Sequence, residues 1–408
     1  MLKALDCVAR LAGAFNRMRA LDQHARQSSP SPLDSHPAHL DHPTQGARLR
    51  AIWLNVNRAC NLRCSWCYVR GAQYSHRDEM SLETAARLLE IATPLGVKKV
   101  ILIGGEPTLW RPLFSFIRVC KDLGVRTTLV TNGVRFSEDP FWEAYKAQPC
   151  SGISVSIKAF NPKSFRDATG TSNFEEVARG LRRALNAPDS SASVVFSGND
   201  PVDLLETARF SAACGARNLG ISPSTPAFHN RTASGSRASD PRAFAQGILA
   251  AYHPLHTLFG GQISFSLKLP LCLWPKDFVA CLIERKQLNT TCQLQHRSGL
   301  VFDPAGRLIA CNSLYGFPIG MMDSEFGDCM SLFDHIHSEP INKFYDSLNC
   351  HASTKCMSCP VQKWCAGGCP LFYSIYDGEC MIPGWQQATE RDDKEAMRRR
   401  CLCTHHHS

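Results

Sequence analysis

The sequence predicts an α/β fold: a partial, TIM-like barrel of six strand–helix units, followed by a small cysteine-rich α+β domain. Two observations lead to this prediction. From residue 51 onward, short apolar runs alternate with amphipathic helical stretches, and this alternation is typical of a parallel sheet. The alternation stops near residue 258, and most of the twenty cysteines lie beyond that point.

The chain before the barrel divides into two short parts. Residues 1–26 place apolar side chains at helical spacing and predict an amphipathic helix. Residues 27–48 are rich in Ser, Pro and His and predict a flexible linker. Asp6 and Arg10 interrupt the apolar positions, which argues against a secretory signal. The predicted organisation is therefore a helix and linker (1–50), a barrel (51–257), a cysteine-rich domain (258–403) and a tail (404–408).

The barrel is predicted element by element from the apolar runs and the helical stretches between them. The strands are predicted at Ala51–Val56, Lys99–Ile103, Arg126–Val130, Gly152–Ile157, Ser193–Phe196 and Asn218–Ile221. The helices are predicted at Leu82–Ala92, Leu113–Leu123, Phe141–Ala147, Phe174–Leu185, Val202–Cys214 and Pro241–Tyr252. About 200 residues suit six strand–helix units better than eight, and functional residues in such folds lie at the carboxyl ends of the strands.

Composition and charge exclude several classes of protein. Of the 408 residues, 44% are hydrophobic and 20% charged, which is ordinary for a globular chain. No apolar stretch approaches the ~20 residues of a membrane span, and the net charge of +9 includes no dense basic run with interleaved aromatics, so no nucleic-acid partner is expected. Tight clusters of cysteines are atypical of a disulfide framework, so we expect metal or cluster ligation in a reducing compartment, the cytoplasm.

Three cysteines directly follow the first predicted strand. Cys60, Cys64 and Cys67 have the spacing Cys-x3-Cys-x2-Cys, and they would lie in a loop at the carboxyl end of the sheet. Three thiolates leave one coordination position without a protein ligand, as in catalytic metal sites. The alternative is a zinc knuckle that takes its fourth ligand elsewhere, although zinc favours paired Cys-x2–4-Cys hooks.

With Trp66 before its last cysteine, this motif resembles that of the radical S-adenosylmethionine (radical SAM) enzymes. The resemblance implies a [4Fe–4S] cluster held by Cys60, Cys64 and Cys67, whose fourth iron is chelated by the amino and carboxylate groups of S-adenosylmethionine. It also implies contacts with that molecule from the ends of later strands. These contacts would come from Gly104, Gly105, Glu106, Asn132, Ser156 and Arg166.

Two of these positions leave alternatives open. Lys158 stands where many relatives have Asp, close to the expected ribose contact Ser156. Arg166 resembles an arginine that meets the methionine carboxylate, an interaction that a bidentate guanidinium would suit. The alternative for Arg166 is an ordinary surface residue of a helix.

The second set of cysteines resembles a SPASM domain, a carboxy-terminal extension of some radical SAM enzymes. Cys356-x2-Cys359-x5-Cys365-x3-Cys369 is preceded by Cys292 and by Gly306-x4-Cys311, and is followed by Cys380. Around Cys311, residues 299–311 predict a hairpin with a type I turn at Pro304 and Gly306. The two resemblances together cover about residues 51–385.

The SPASM resemblance implies two auxiliary [4Fe–4S] clusters. The first would be held by Cys292, Cys311 and Cys369, with Cys272 as the expected fourth ligand and Cys281 as its rival. The second would be held by Cys356, Cys359, Cys365 and Cys380. A zinc ribbon is the alternative for this set, because Cys-x2-Cys pairs also bind zinc. The remaining cysteines have no predicted ligand role.

The family resemblance also implies the chemistry. Flavodoxin or ferredoxin would supply one electron, S-adenosylmethionine would be cleaved to a 5′-deoxyadenosyl radical, and that radical would abstract a hydrogen atom from the substrate. We expect a crosslink or another oxidative modification of a ribosomally made peptide. Its leader would be bound by a separate protein or by the two domains themselves.

Three alternatives for the function stay open. Formylglycine formation in sulfatases is disfavoured, because the relatives that perform it have Asp where this chain has Asn312, and an amide cannot act as the base. The other two are modification of a small metabolite and a non-catalytic zinc or electron-transfer protein.

Overall fold

A computed structural model describes residues 49–69, 77–197, 200–229, 232–233, 238–266, 268–289, 292–347 and 358–372. The predicted amino-terminal helix, most of the linker and the tail lie outside these residues. Within them, no helix is both long enough and apolar enough to cross a bilayer.

Six parallel strands form the centre of the sheet and confirm the predicted α/β class. They are β1 (Ala51–Asn55), β2 (Lys99–Ile103), β3 (Arg126–Thr131), β4 (Gly152–Ile157), β5 (Ser190–Phe196) and β6 (Leu219–Pro223). Each pairs in parallel with the next, from β1 beside β2 to β5 beside β6. All six carboxyl ends therefore lie along one edge of the sheet.

The sheet continues past residue 258 in both directions. After the small pair β7 (Phe228–His229) and β8 (Thr232–Ala233), strands β9 (Ile263–Ser266) and β10 (Leu288–Asn289) extend it beyond β6, also in parallel. Strand β11 (Gly299–Phe302) pairs in parallel with β1, and β12 (Arg307–Ile309) and β13 (Pro318–Met321) follow antiparallel. Among the described residues the sheet has eleven strands, in the order β10-β9-β6-β5-β4-β3-β2-β1-β11-β12-β13. The predicted hairpin is confirmed as β11–β12, and it joins the cysteine-rich part to the first barrel strand.

The six predicted helices are present in the barrel with one addition, and five more helices follow residue 258 in the described part of the chain. They are α1 (Leu82–Ala92), α2 (Leu113–Asp122), α3 (Asp139–Ala147), α4 (Pro162–Thr169), α5 (Phe174–Leu185), α6 (Pro201–Ala213), α7 (Pro241–Leu258), α8 (Lys276–Glu284), α9 (Gln293–His296), α10 (Cys329–Ile336), α11 (Glu339–Ser347) and α12 (Gln362–Cys365). The additional helix, α4, has clear end signals: a capping box at Asn161, Pro162 in its first turn and Gly170 in the left-handed region after its end. This helix carries Arg166.

One hydrophobic core joins the barrel to the residues that follow it. Its fully buried members include Leu54 and Leu102 of the central strands and Phe116 of α2, together with Phe302 of β11 and Phe372 near the end of the described chain. Cys369 belongs to the same cluster, and Cys292, Cys311 and Cys365 pack against it, so these four cysteines lie against the core of the barrel.

Candidate active site

The first cysteine loop, residues 60–67, is fixed to the end of β2 by backbone contacts. The Gly105 amide donates to the Asn57 carbonyl at 2.8 Å, and the Glu106 amide donates to the Ala59 carbonyl at 2.7 Å. A Cβ at Gly105 would lie 2.2 Å from the Ala59 carbonyl oxygen, and one at Gly104 would lie 2.6 Å from the Asn57 carbonyl oxygen. The glycine pair is therefore required by the approach of the chain that leads into the cysteine loop.

The other side of the first cysteine loop rests on the carboxyl end of α4. The amide of Arg63 donates to the Thr169 carbonyl at 2.8 Å, and the amide of Ser65 donates to the Ala168 carbonyl at 2.9 Å. These bonds satisfy two of the carbonyls that a helix end leaves without an intrahelical partner. They also bring the last turn of α4, with the exposed Arg166, beside the loop.

The three thiols of this loop lie close enough to interact electrostatically. The pKa of Cys60 is raised to about 12, chiefly by burial and then by the negative charges of the nearby Glu106, Cys64 and Cys67. The Leu62 amide partly offsets this by donating to the Cys60 sulfur at 3.4 Å. Ionising all three thiols together is therefore unfavourable unless a cation or a metal cluster compensates the charge of the thiolates.

The donor set of the first cysteine loop fits an iron–sulfur cluster. Cys thiolates are the usual protein ligands of iron in such clusters. Cys60, Cys64 and Cys67 supply three soft donors and would leave the fourth iron open to a ligand.

Glu106 is a buried carboxylate next to these thiols. It is 1% exposed, and burial raises its pKa even though it accepts several hydrogen bonds. Its Oε1 accepts from the hydroxyls of Thr108 and Thr131, both at 2.7 Å, and its Oε2 accepts from the Asn132 amide at 2.8 Å. The Asn132 side chain in turn donates to Asn61 at 2.8 Å. A cationic group of a ligand would favour the ionised form of this carboxylate.

The structure also brings together side chains from β4 and the first cysteine loop. The Lys158 ammonium donates to the Ser156 hydroxyl at 2.7 Å and lies 6.0 Å from the centre of the Trp66 ring, within the range of a cation–π contact. Ser156 lies near the end of β4, and Lys158 directly follows the last residue of that strand, Ile157. Ser156, a predicted site residue, therefore has a charged neighbour whose role the sequence left open.

All nine predicted residues of this site lie in or next to the first cysteine loop. The glycines and Glu106 contact the chain leading into it, Asn132 contacts Asn61, Ser156 reaches it through Lys158, and Arg166 lies on the helix that supports it. Whether they bind S-adenosylmethionine stays a prediction.

A second group of thiols, the auxiliary thiol set, consists of Cys292, Cys311 and Cys369. They come from the start of α9, the end of β12 and the residues after α12. The pKa of Cys311 is raised to about 11, chiefly by burial and then by the neighbouring Cys292. The pKa of Cys369 is raised by burial first and then by both other thiols. The three thiols that the SPASM resemblance assigns to one cluster are therefore neighbours in the structure.

Both candidates for a fourth ligand of this set lie in the described part of the chain. The residues just before Cys272 pack on the segment that carries Cys365 and Cys369, since the Leu271 amide donates to the Cys365 sulfur at 3.3 Å and the Cys369 amide donates to the Lys268 carbonyl at 2.9 Å. Cys281 lies on α8, where its sulfur is 3.7 Å from the Tyr252 hydroxyl. The expected fourth ligand, Cys272, stays a prediction.

The structure describes only some of the other predicted ligands and of the unassigned cysteines. Cys359 and Cys365 are half-buried and form no disulfide, whereas Cys356 and Cys380 lie outside the described residues. The unassigned Cys120, Cys150 and Cys214 are buried thiols, Cys329 is buried and disulfide-bonded, and the rest also lie outside.

Sequence reasoning missed a buried polar link between the two cysteine groups. The Asn55 amide, at the end of β1, donates to the Phe302 carbonyl at 3.0 Å and to the Asn312 side-chain oxygen at 2.9 Å. The Tyr68 hydroxyl donates to the Asn55 side-chain oxygen at 3.0 Å. Tyr68 follows Cys67 and Asn312 follows Cys311, so this link joins the chain neighbours of one predicted ligand from each group. The sequence signal that could have indicated this link is Asn55, a polar residue at the end of the apolar strand β1.

Comparison with known families identifies the barrel. Residues 54–211 match the family model described as the Radical SAM superfamily, and the predicted radical SAM domain is confirmed for this part of the chain. Two relatives by sequence are the GTP 3′,8-cyclase of Actinobacillus succinogenes and the probable GTP 3′,8-cyclase of Thermococcus kodakarensis. The first is 34% identical over 33% of this chain and 40% of its own length, and the second is 27% identical over 42% and 55%. The chain spans about half the length of the curated relatives it matches.

Comparison of folds finds similar structures over much more of the chain. Streptococcus suis SuiB bound to S-adenosylmethionine has a TM-score of 0.59 at 16% identity, covering 79% of this chain and 73% of its own. Native anSMEcpe with bound AdoMet has a TM-score of 0.61 at 15% identity, covering 86% and 96%. At this identity the likeness shows a common fold that includes residues beyond the family match.

Proposed function

We propose that this chain is a radical SAM enzyme that modifies a peptide. The first cysteine loop would hold a [4Fe–4S] cluster and, with Glu106 and its neighbours, S-adenosylmethionine. When bound, the cluster supplies the electron that cleaves S-adenosylmethionine to methionine and a 5′-deoxyadenosyl radical, which takes a hydrogen atom from the substrate. The protein's own part is binding, orientation and protection of the reacting groups.

Each site residue has a defined part in this proposal. Glu106 offers a buried carboxylate to the ammonium of the methionine moiety, held in place by Thr108, Thr131 and Asn132. Ser156 offers a hydroxyl to the ribose, and Arg166 a guanidinium to the methionine carboxylate. The burial of Cys60 and Glu106 limits access of water to the place where the radical would form.

The observation that favours a peptide substrate is a fold likeness, extending beyond the family match, to proteins whose structures hold peptides. The auxiliary thiol set lies in the part of the chain outside that match, and we propose that its three thiols hold an auxiliary cluster with Cys272 as the fourth ligand. Two proteins with a similar fold support the substrate class: SuiB is known bound to the precursor peptide SuiA, and anSMEcpe with the Cp18Cys peptide. Their fold likeness extends over 79% and 86% of this chain.

A second candidate is the modification of a nucleotide, because the relatives by sequence are named GTP 3′,8-cyclases. Those matches cover 33% and 42% of this chain. In this candidate GTP would be the substrate, and the peptide would have no role.

One experiment separates the two candidates. The protein is purified without oxygen, its clusters are reconstituted, and S-adenosylmethionine and dithionite are added with GTP, with a short peptide encoded beside its gene, or with neither. We expect 5′-deoxyadenosine in all three mixtures, and a mass change only in the peptide. A mass change in GTP alone would establish the second candidate, and 5′-deoxyadenosine undiminished in Cys60→Ala would contradict both.

A further inference from the structure

Lys268 lies between the barrel edge and the auxiliary thiol set. It follows β9, and its ammonium donates at 3.0 Å to the hydroxyl of Thr225, which follows β6. Strands β6 and β9 are parallel neighbours, so both residues stand at the carboxyl edge of the sheet. The Lys268 carbonyl accepts the hydrogen bond from the Cys369 amide at 2.9 Å. The lysine is thus tied to the barrel by its side chain and to the auxiliary thiol set by its backbone.

The backbone after Lys268 packs tightly on the segment that carries Cys369. Gly368 has a φ of +80°, and a Cβ there would lie 2.9 Å from the Pro270 nitrogen. On the other face of this segment, the Gln295 side chain donates to the carbonyls of Ala366 at 3.0 Å and Gly368 at 2.5 Å. These contacts fix the position of Lys268 relative to the thiols.

The charge of Lys268 acts on every member of the auxiliary thiol set. Its ammonium lies close enough to interact electrostatically with Cys292, Cys311 and Cys369, and the 2.9 Å hydrogen bond from the Cys369 amide to the Lys268 carbonyl keeps the lysine beside them. A half-buried ammonium, held in place by a hydroxyl, is screened by water less than a mobile surface lysine.

We infer that Lys268 sets the reduction potential of the auxiliary cluster held by Cys292, Cys311 and Cys369. This inference rests on the proposed function, which places a cluster there. Reduction adds one electron, and therefore one negative charge, to the cluster. A fixed positive charge nearby stabilises the reduced form more than the oxidised form, so it raises the potential. Lys268 is a positioning residue in this role, and Thr225 orients its ammonium.

The test is a redox titration of the reconstituted full-length protein, followed by electron paramagnetic resonance. The auxiliary component is identified as the signal that disappears in Cys311→Ala. We expect Lys268→Met to lower its potential by about tenfold in the equilibrium constant, about 59 mV for one electron. Lys268→Arg should keep the parent potential, and so should Lys276→Met, which removes an exposed lysine on α8.

Three further outcomes decide whether the inference holds. If Lys268→Met keeps its iron and its auxiliary potential is unchanged, the inference is wrong and the proposed function stands. If Cys311→Ala loses neither iron nor a signal, there is no cluster at these thiols, and both the peptide proposal and the inference fail. If Lys268→Met loses iron, Thr225→Val decides: it leaves the lysine in place but frees its ammonium, and it should shift the potential in the same direction by a smaller amount.

Discussion

The first cysteine loop and the auxiliary thiol set are two groups of three thiols built in opposite ways. The first takes its thiols from eight consecutive residues and is fixed by backbone hydrogen bonds to β2 and α4. The second takes Cys292, Cys311 and Cys369 from segments up to 77 residues apart in the chain. Its assembly depends on the pairing of β11 with β1 and of β12 with β11.

The two groups of thiols therefore depend on different parts of the fold. The local loop needs the ends of two strands and one helix, so a small change at those ends should affect it strongly. The auxiliary thiol set is held by the packing of the whole carboxy-terminal part against the core, so single changes there should have smaller effects. The following predictions test this contrast.

The largest effect is expected from removing one thiol of each group. Cys67→Ala should reduce 5′-deoxyadenosine formation to background, because the first cluster would lose one of three protein ligands. Cys311→Ala should lower the iron content by about four atoms but leave cleavage of S-adenosylmethionine without substrate intact. The measurements are iron analysis and chromatography of the nucleoside, and Cys214→Ala, a buried thiol outside both groups, is the control. Loss of cleavage in both variants would show that the groups do not act separately.

The second-largest effect is expected at Gly105, the glycine that lets the chain leading into the first cysteine loop pass close to the end of β2. Gly105→Ala would place a Cβ 2.2 Å from the Ala59 carbonyl oxygen, so the first cysteine loop must move. A displacement of about 1 Å can cost about 10²-fold in rate, and we expect a loss of that size in 5′-deoxyadenosine formation. Gly220→Ala on β6 is the matched control, since its Cβ would meet only ordinary contacts at 3.7 Å. Equal rates of 5′-deoxyadenosine formation in Gly105→Ala and Gly220→Ala would contradict the proposed role of the close contact between Gly105 and Ala59.

Some of these features could be predicted from the sequence and others could not. The strands, most helices and the first cysteine motif follow from local periodicity and spacing, which act over a few residues. The glycine pair was expected to serve a ligand, but its steric reason is the backbone of Asn57–Ala59, a contact set by three-dimensional packing. The extension of the sheet by β9 and β11, and the Asn55 link, depend on pairings between residues far apart in the chain, and local patterns do not report them.

A moderate effect is expected from the polar link between the two groups. Asn55→Leu would remove the donor to Phe302 and Asn312 and the acceptor for Tyr68. Buried polar groups left without partners cost about 1–3 kcal/mol, so thermal unfolding of the variant should show a lower free energy of unfolding by that amount.

The control for this link is Asn218→Ala, which removes a single 3.4 Å hydrogen bond before β6 and should change stability by about 0.5 kcal/mol or less. Tyr68→Phe removes only the tyrosine hydroxyl from the link, and its loss of unfolding free energy should lie between those of Asn55→Leu and Asn218→Ala. A wild-type free energy of unfolding for Asn55→Leu would mean that the two cysteine groups are held together by apolar packing alone.

The smallest effect is expected from Gln295, which supports the segment of Cys365 and Cys369. Gln295→Met keeps the side-chain length but removes the hydrogen bonds to Ala366 and Gly368, at a cost of about 1 kcal/mol. The reconstituted variant should lose its auxiliary iron to a chelator severalfold faster than the parent, while the iron of the first cysteine loop is lost at the parent rate. Gln148→Met, at the end of α3, should match the parent in both phases. Faster loss from the first loop as well would contradict the separate support of the two groups, because Gln295 touches only the second.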